Sequence, residues 1–348
     1  MPSGGRTRPE TALLHPSPAG RKKRIFLGLA IMMSIMLLAV SVVLYNPVCT
    51  LTSLEKVDDF PLYVMRYQGT YLFDLFARAG LDWGPYRRLY EAVNPDACTS
   101  FAAPSPEGAT LFGRNFDWAH RASLLLFTKP PGGYASVSMV DLYYLGLEGM
   151  QEIPWSRRFV LLAAPHATID GMNECGVAIA QNAVPNRNTP KDPNRPTLLN
   201  SQIVRLVLDH ARDVNEALAL IQQYNVEFAG PPVHFHIADA SGDSAVVEYV
   251  DGGVSVVRSD RLWQVSTNFL LSEECRPDCW RYSKAQETLV RSQGCLSPPA
   301  AMDLLEAVRQ EHTVWSVVYN LDAGLINVAV GQEYDDVHAF GLPMRRHP

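Results

Sequence analysis

Cys98, Arg114 and Asp117 are the residues of this chain whose types and spacing point most directly to chemistry. Cys98 opens the strand-like run Cys98-Thr-Ser-Phe-Ala-Ala. A Pro/Ser/Gly turn follows at 104–108, and a second strand-like run, 109–115, carries Arg114 with Asp117 just beyond it. Apolar and β-branched residues on either side of a Pro/Gly loop predict a β-hairpin. A hairpin brings its ends together, so the three side chains are expected to meet. A thiol beside a guanidinium and a carboxylate is an activated nucleophile in the making. Taken singly, each residue has a plainer reading: a buried small hydrophobe, a solvated strand end and a turn residue.

The elements that must position these groups follow from the rest of the sequence. Apolar residues make up 47% and charged residues 19% of 348, enough for a sizeable core. Residues 1–24 hold six cations and one carboxylate, so the net charge of -6 leaves about -11 on the remainder. That balance argues against a nucleic-acid partner for the folded part. Residues 1–24 read as a disordered basic tail. Residues 25–45 form a run of 21 without charge, long enough for a single transmembrane signal anchor. Basic residues before the run and Glu55, Asp58 and Asp59 after it place the amino end inside the cell and the catalytic part outside, or secreted if the anchor is cut.

Beyond the span, the spacing of Leu62, Met65, Leu72, Leu75 and Phe76 predicts helix over 54–94. From Cys98 the pattern turns to strands at 98–103, 109–115, 122–128, 134–141, 159–164 and 176–181, with a turn at Asn173–Gly176. Helices are expected near 201–211, at 214–224 with Asp213 as cap, and later near 281–292 and 298–309. Strands lie between and after them, at 233–238, 244–250, 253–258, 262–266, 314–320 and 324–330. Strand blocks followed by paired helices predict an α+β layered domain.

Phosphate-loop, dinucleotide-binding, H-E-x-x-H and G-x-S-x-G motifs are absent, which removes the commonest nucleotide, metalloprotease and serine-hydrolase readings. No cofactor is implied. Cys275 and Cys279 form a C-x3-C pair that reads as a local disulfide if the domain is extracytoplasmic. Zinc would need two more ligands, and His234 and His236 alternate along a strand as core histidines do, so no metal is assigned.

Cys98-Thr-Ser-Phe, a turn and Gly113-Arg-Asn-Phe-Asp117-Trp together resemble the start of the mature chain in the choloylglycine hydrolase superfamily of linear-amide C–N hydrolases. That group includes bile salt hydrolases, penicillin V acylases, acid ceramidase-like amidases and the penicillin acyltransferases. Gly171 to Asn182, Ser266-Thr-Asn268 and Trp280-Arg281-Tyr282 resemble later motifs of the same group. The resemblance implies a four-layer αββα N-terminal-nucleophile fold over 98–348. It also implies a thiol nucleophile at Cys98 whose own α-amino group is the base. Arg114 would favour thiolate, Asp117 would hold the α-ammonium, the Asn182 backbone and the Asn268 side chain would bind the oxyanion, and Arg281 would brace the site.

Because Cys98 is internal, the resemblance further implies autocatalytic cleavage between Ala97 and Cys98. Residues 46–97 would then be a helical pro-segment or a small subunit held without a covalent link, and homo-oligomers are also open. The expected substrate is a small-molecule N-acyl amide. Acyl transfer to an amine is the enzymatic alternative, and an inactive membrane-anchored binding protein on the same scaffold is the alternative from another class.

Overall fold

The computed structural model describes residues 18–79, 98–119, 122–185, 189–250, 252–273 and 278–345. Two compact units divide at Val48 and Cys49. In the first, residues from Pro18 onward belong to helix α1 (Pro18–Thr52), whose last turn lies in the second unit. Residues 18–24 are therefore helical, a correction to the disordered tail read there; Arg and Lys are good helix formers. Residues 1–17 lie outside the described residues. Phe26, Leu27, Ile31, Met32 and Met36 of α1 are exposed. Among the described residues no helix is long and apolar enough to cross a membrane, so the span read over 25–45 gains no support from the structure.

The second unit is built on two stacked sheets. Strands β1 (Glu55–Asp58), β2 (Leu62–Arg66), β5 (Ser123–Thr128), β6 (Ser136–Asp141), β7 (Thr168–Asn173), β8 (Val177–Ala183), β11 (Val233–Asp239), β12 (Ser244–Val250) and β13 (Gly253–Arg258) form a nine-stranded sheet in that order. The facing sheet has six strands, in the order β14 (Gln264–Ser266), β3 (Cys98–Pro104), β4 (Thr110–Asp117), β15 (Thr313–Asn320), β16 (Leu325–Val330) and β17 (His338–Gly341). A short parallel pair, β9 (Thr197–Leu199) and β10 (Asn225–Glu227), stands apart.

Helices cover both outer faces. α3 (Asn200–His210) and α4 (Val214–Ile221) bury Ile203, Val207 and Ala217 against Val177, Ile179 and Phe235 of the larger sheet. α5 (Trp280–Arg291) and α6 (Pro298–Ala307) pack Leu289, Leu304 and Leu305 on Phe101, Leu111 and Val318 of the smaller one. Between the sheets lies the main core, including Phe112, Phe116, Leu124, Leu126, Met139 and Trp315. The layers are thus helix, sheet, sheet, helix, as expected. Asp213 caps α4 by accepting the Glu216 N–H at 2.8 Å.

Strand β4 shows why this sequence suits a buried sheet. All eight of its residues are buried. Phe112 and Phe116 join the inter-sheet core, while Leu111 joins the core beneath the helices, as period-two alternation requires. Gly113 lies under the Phe101 ring, where an added Cβ would meet the ring at 2.3 Å.

Two expectations fail. Helix was read over 54–94, but 55–58 and 62–66 are strands, and helix α2 (Phe73–Ala79) is short; residues 80–94 lie outside the described residues. Leu62 and Met65 satisfy helical spacing by coincidence, since β2 is buried on both faces and needs no alternation. It pairs in parallel with β5. The strand read at 159–164 is part of a 3₁₀ segment, Trp155–His166, whose apolar run is too short for periodicity to decide its type. The expected Cys275–Cys279 bridge involves residue 275, outside the described residues.

Candidate active site

Hairpin register sets the first contacts. Cys98 pairs with Phe116 and Ser100 with Arg114, so Cys98 and Arg114 share a face as diagonal neighbours. The Arg114 Nη2 lies 3.5 Å from the Cys98 Sγ. Asp117 is an odd number of residues from Arg114 and points away. It accepts from Thr313 Oγ1 at 2.5 Å and from Gln310 Nε2 at 3.2 Å. Burial pushes its carboxyl above the usual range, against the pull of these two donors and of Arg281 and His312. The Cys98 N–H instead donates to Asn268 Oδ1 at 2.6 Å. The hairpin therefore gathers the thiol and the guanidinium, and it does not bring the Asp117 carboxylate onto the Cys98 nitrogen.

Arg114 is fully buried and needs more than a thiol to compensate its charge. Its Nε lies 2.8 Å from Asp170 Oδ2, its Nη1 donates to Asn182 Oδ1 at 2.5 Å, and it stands over the Phe116 ring at 5.4 Å. Burial opposes the charged guanidinium, but Cys98, Asp170 and Asp117 outweigh it and hold its pKa above the ordinary value. Asp170 also accepts from Tyr319 Oη at 2.7 Å and Trp315 Nε1 at 3.2 Å. Sequence reasoning missed Asp170. The signal available was the need of a buried arginine for a buried carboxylate, and Asp170 directly precedes the Gly171–Asn182 motif.

The later motifs converge on the same point. Arg281, in the first turn of α5, donates through Nη1 to the Cys98 carbonyl at 2.5 Å and to Thr99 Oγ1 at 2.9 Å. Its Nη2 donates to Asn268 Oδ1 at 2.9 Å. Asn268, just past β14, donates from Nδ2 to the Ala183 carbonyl at 2.7 Å. The Asn182 side chain is fully engaged: besides accepting from Arg114, it donates to Ser100 Oγ at 2.8 Å and Ser266 Oγ at 3.1 Å.

A narrow pocket, with a cavity of about 30 Å³, opens over Cys98. Its walls are mostly apolar, with Phe116, Trp118, Tyr144 and Ile169 prominent. Phe116 stacks between Trp118 and Trp315, with ring centroids 5.8 Å and 4.1 Å away. The polar wall residues are tied to one another, as Asn200 Nδ2 donates to Gln181 Oε1 at 2.6 Å and Ser201 to the His166 carbonyl at 2.8 Å. His234 and His236 serve the interior: His236 meets Ser100 Oγ at 2.9 Å, and His234 meets Glu248, Ser266 and Thr267.

A buried thiol, with an arginine at its sulfur and an asparagine at its nitrogen, is set between the two stacked sheets of a mixed α/β scaffold that solved structures share. The structure of penicillin V acylase from Agrobacterium tumefaciens superposes with a TM-score of 0.51 at 19% identity, covering 70% of this chain and 86% of that one. A mutant conjugated bile acid hydrolase from Clostridium perfringens gives a TM-score of 0.52 at 14% identity, covering 70% and 92%. Penicillin V acylase of Pectobacterium atrosepticum is 27% identical over 196 residues, 49% of each chain, so this chain spans about half the length of that curated relative. The profile of the linear amide C–N hydrolases, choloylglycine hydrolase family, matches residues 98–269. Over that segment the chain is similar to this family of hydrolases acting on linear amide C–N bonds.

Proposed function

We propose that the chain is a cysteine amidase that cleaves an N-acyl amide through a thioester and matures by cutting itself between Ala97 and Cys98. The observation that carries this reading is the Cys98 sulfur, 3.5 Å from Arg114 on the floor of an apolar pocket, with its nitrogen held by Asn268. In maturation the thiolate attacks the Ala97 carbonyl, the 97–98 amide nitrogen leaves with a proton, and water hydrolyses the resulting thioester. The freed α-amine, with an ordinary pKa of about 8, then takes the thiol proton during attack on substrate.

The tetrahedral oxyanion is met by the Asn182 main-chain N–H and the Asn268 Nδ2. Collapse expels the substrate amine, which takes the proton back from the α-ammonium, and water releases the acid. Arg281 fixes the Cys98 carbonyl and Asn268, while Asp117 supplies negative charge near Arg281. The acyl group rests against Phe116, Trp118 and Ile169, which favours an uncharged aromatic or aliphatic acyl group, each buried CH₂ contributing about 0.8 kcal/mol.

The segment before the cut supports retention as a partner chain, because Leu62 and Met65 of β2 are fully buried and β2 is paired to β5. The uncharged run 25–45, with its exposed Phe26, Leu27, Ile31 and Met36, supports attachment to a membrane with the amidase outside the cytoplasm. Mass spectrometry of purified protein tests maturation: the reading expects a chain beginning at Cys98, together with hydrolysis of penicillin V or another N-acyl amide. Cys98→Ser is expected to stay largely uncut and to turn over little or nothing. Undiminished turnover by that variant refutes the mechanism.

A further inference from the structure

A buried chain of hydrogen bonds leads away from the site on the side opposite Asp170. His234 stands directly across from Asn182 in the β8–β11 pairing. Its Nε2 lies 2.8 Å from the Thr267 carbonyl and 2.9 Å from Ser266 Oγ. Its Nδ1 lies 3.2 Å from Glu248 Oε1. The Thr267 carbonyl can only accept, so Nε2 carries a hydrogen. Glu248 in turn accepts the Leu271 N–H at 2.6 Å and the Ser272 N–H at 3.0 Å. A carboxyl that receives two backbone donors is an ionised acceptor, so Nδ1 also carries a hydrogen.

Burial works to raise the Glu248 carboxyl, but His234, Ser272 and Leu271 outweigh it and hold it below the usual carboxylate range. The neighbouring His236 is pushed down to about 3, by burial and by repulsion from His234. The inter-sheet space thus holds a histidine–carboxylate pair in which both side chains are fully buried.

We propose that His234, held doubly protonated by Glu248, is the positioning residue for the oxyanion-binding pair Asn182 and Asn268. This rests on the amidase reading above. The Nε2–H grips the carbonyl of the 267–268 peptide and so sets the origin of the Asn268 side chain, whose Oδ1 receives the Cys98 N–H. Through Ser266 Oγ it also reaches Asn182 Nδ2. One charged ring therefore fixes both asparagines, which come from different sheets. It touches neither the sulfur nor the pocket. An oxyanion donor is useful only if it is placed before the charge develops, and a buried charged donor holds a carbonyl more firmly than a neutral one.

The test uses the full-length chain labelled with [15N]histidine and the variants Glu248→Gln and His234→Gln. Side-chain NMR is expected to show one ring with both nitrogens protonated, absent in His234→Gln and reduced to a single N–H in Glu248→Gln. Both variants are expected to lose about 10²-fold in kcat on penicillin V with KM changed less than about threefold, as removal of transition-state positioning requires. Alkylation of Cys98 by iodoacetamide, which needs no oxyanion site, is expected to stay within about twofold of wild type.

A wild-type ring with one N–H overturns the proposal. So does a kcat within about threefold of wild type in both variants, or an alkylation rate that falls in step with kcat. A wild-type chain with both resonances and no turnover of any N-acyl amide refutes the amidase reading instead.

Discussion

Asp170→Asn is the most informative single change at the site. It keeps the shape of the side chain and removes the charge that faces Arg114 at 2.8 Å, with both side chains fully buried. Arg114 is left with a thiol and an amide oxygen as partners, and removing one member of a buried pair costs about 3–5 kcal/mol. Tyr319 and Trp315 lose an ionised acceptor through the same substitution. Those losses share one carboxylate with the ion pair, so they fall within that range and do not add to it.

The assay is urea unfolding followed by fluorescence, since Trp315 is fully buried. With a slope of about 3 kcal/mol/M, the midpoint is expected to fall by about 1–1.7 M. The double variant Arg114→Met/Asp170→Leu removes both charges and is expected to regain most of that loss while turning over no substrate. A midpoint for Asp170→Asn within about 0.3 M of wild type refutes the view that this pair holds Arg114 at the sulfur. So does undiminished turnover by a destabilised Asp170→Asn.

Asp141 carries a second expectation. It caps the 3₁₀ turn Leu142–Leu145 through the Tyr143 N–H, and its Oδ2 is buried without a hydrogen-bond partner among the described residues. Burial pushes its carboxyl up to about 7. Because the folded value lies above the unfolded one, near ~3.9, its contribution is fully present below pH ~4 and is lost as pH rises through ~7, up to about 4 kcal/mol in all. Asp141→Asn is expected to be more stable than wild type at pH 8, with the difference shrinking or reversing at pH 4–5, as thermal melts at the two pH values will show; an equal difference at both pH values contradicts the assignment. Ala229→Phe intrudes on the pocket wall, and is expected to raise KM for penicillin V more than for an N-acetyl amide in steady-state kinetics. Arg281→Lys leaves one nitrogen where two served Cys98, Thr99 and Asn268, and is expected to lower kcat about 10²-fold in the same assay.

Local pattern made part of this site readable. Cys98 and Arg114 belong to one hairpin, where turn position and period-two alternation determine which side chains share a face. The same rule places Asp117 on the opposite face, three residues from Arg114, a consequence that spacing alone contained and that the clustering of charged residues obscured. Asn182, Asn268 and Arg281 were reached by resemblance, because nothing local marks them. Asp170 and His234 act by reaching across from the nine-stranded sheet to groups held by the six-stranded one, and no local period encodes a contact between sheets. Strand β2 escaped because a strand buried on both faces presents Leu62 and Met65 at intervals that also suit a helix.

The hydrogen bond between the Cys98 nitrogen and Asn268 spans 170 positions of chain. The carbonyl of Cys98 is held from farther still, by Arg281, 183 positions on. On a growing chain the hairpin that carries the thiol emerges and closes early, long before either partner exists. The contacts that hold Cys98 by its nitrogen and its carbonyl are therefore complete only after the distal half of the domain has docked. Under the maturation proposed above, a truncated or misassembled product keeps its leader, and the cut end becomes a chemical record that folding went to completion.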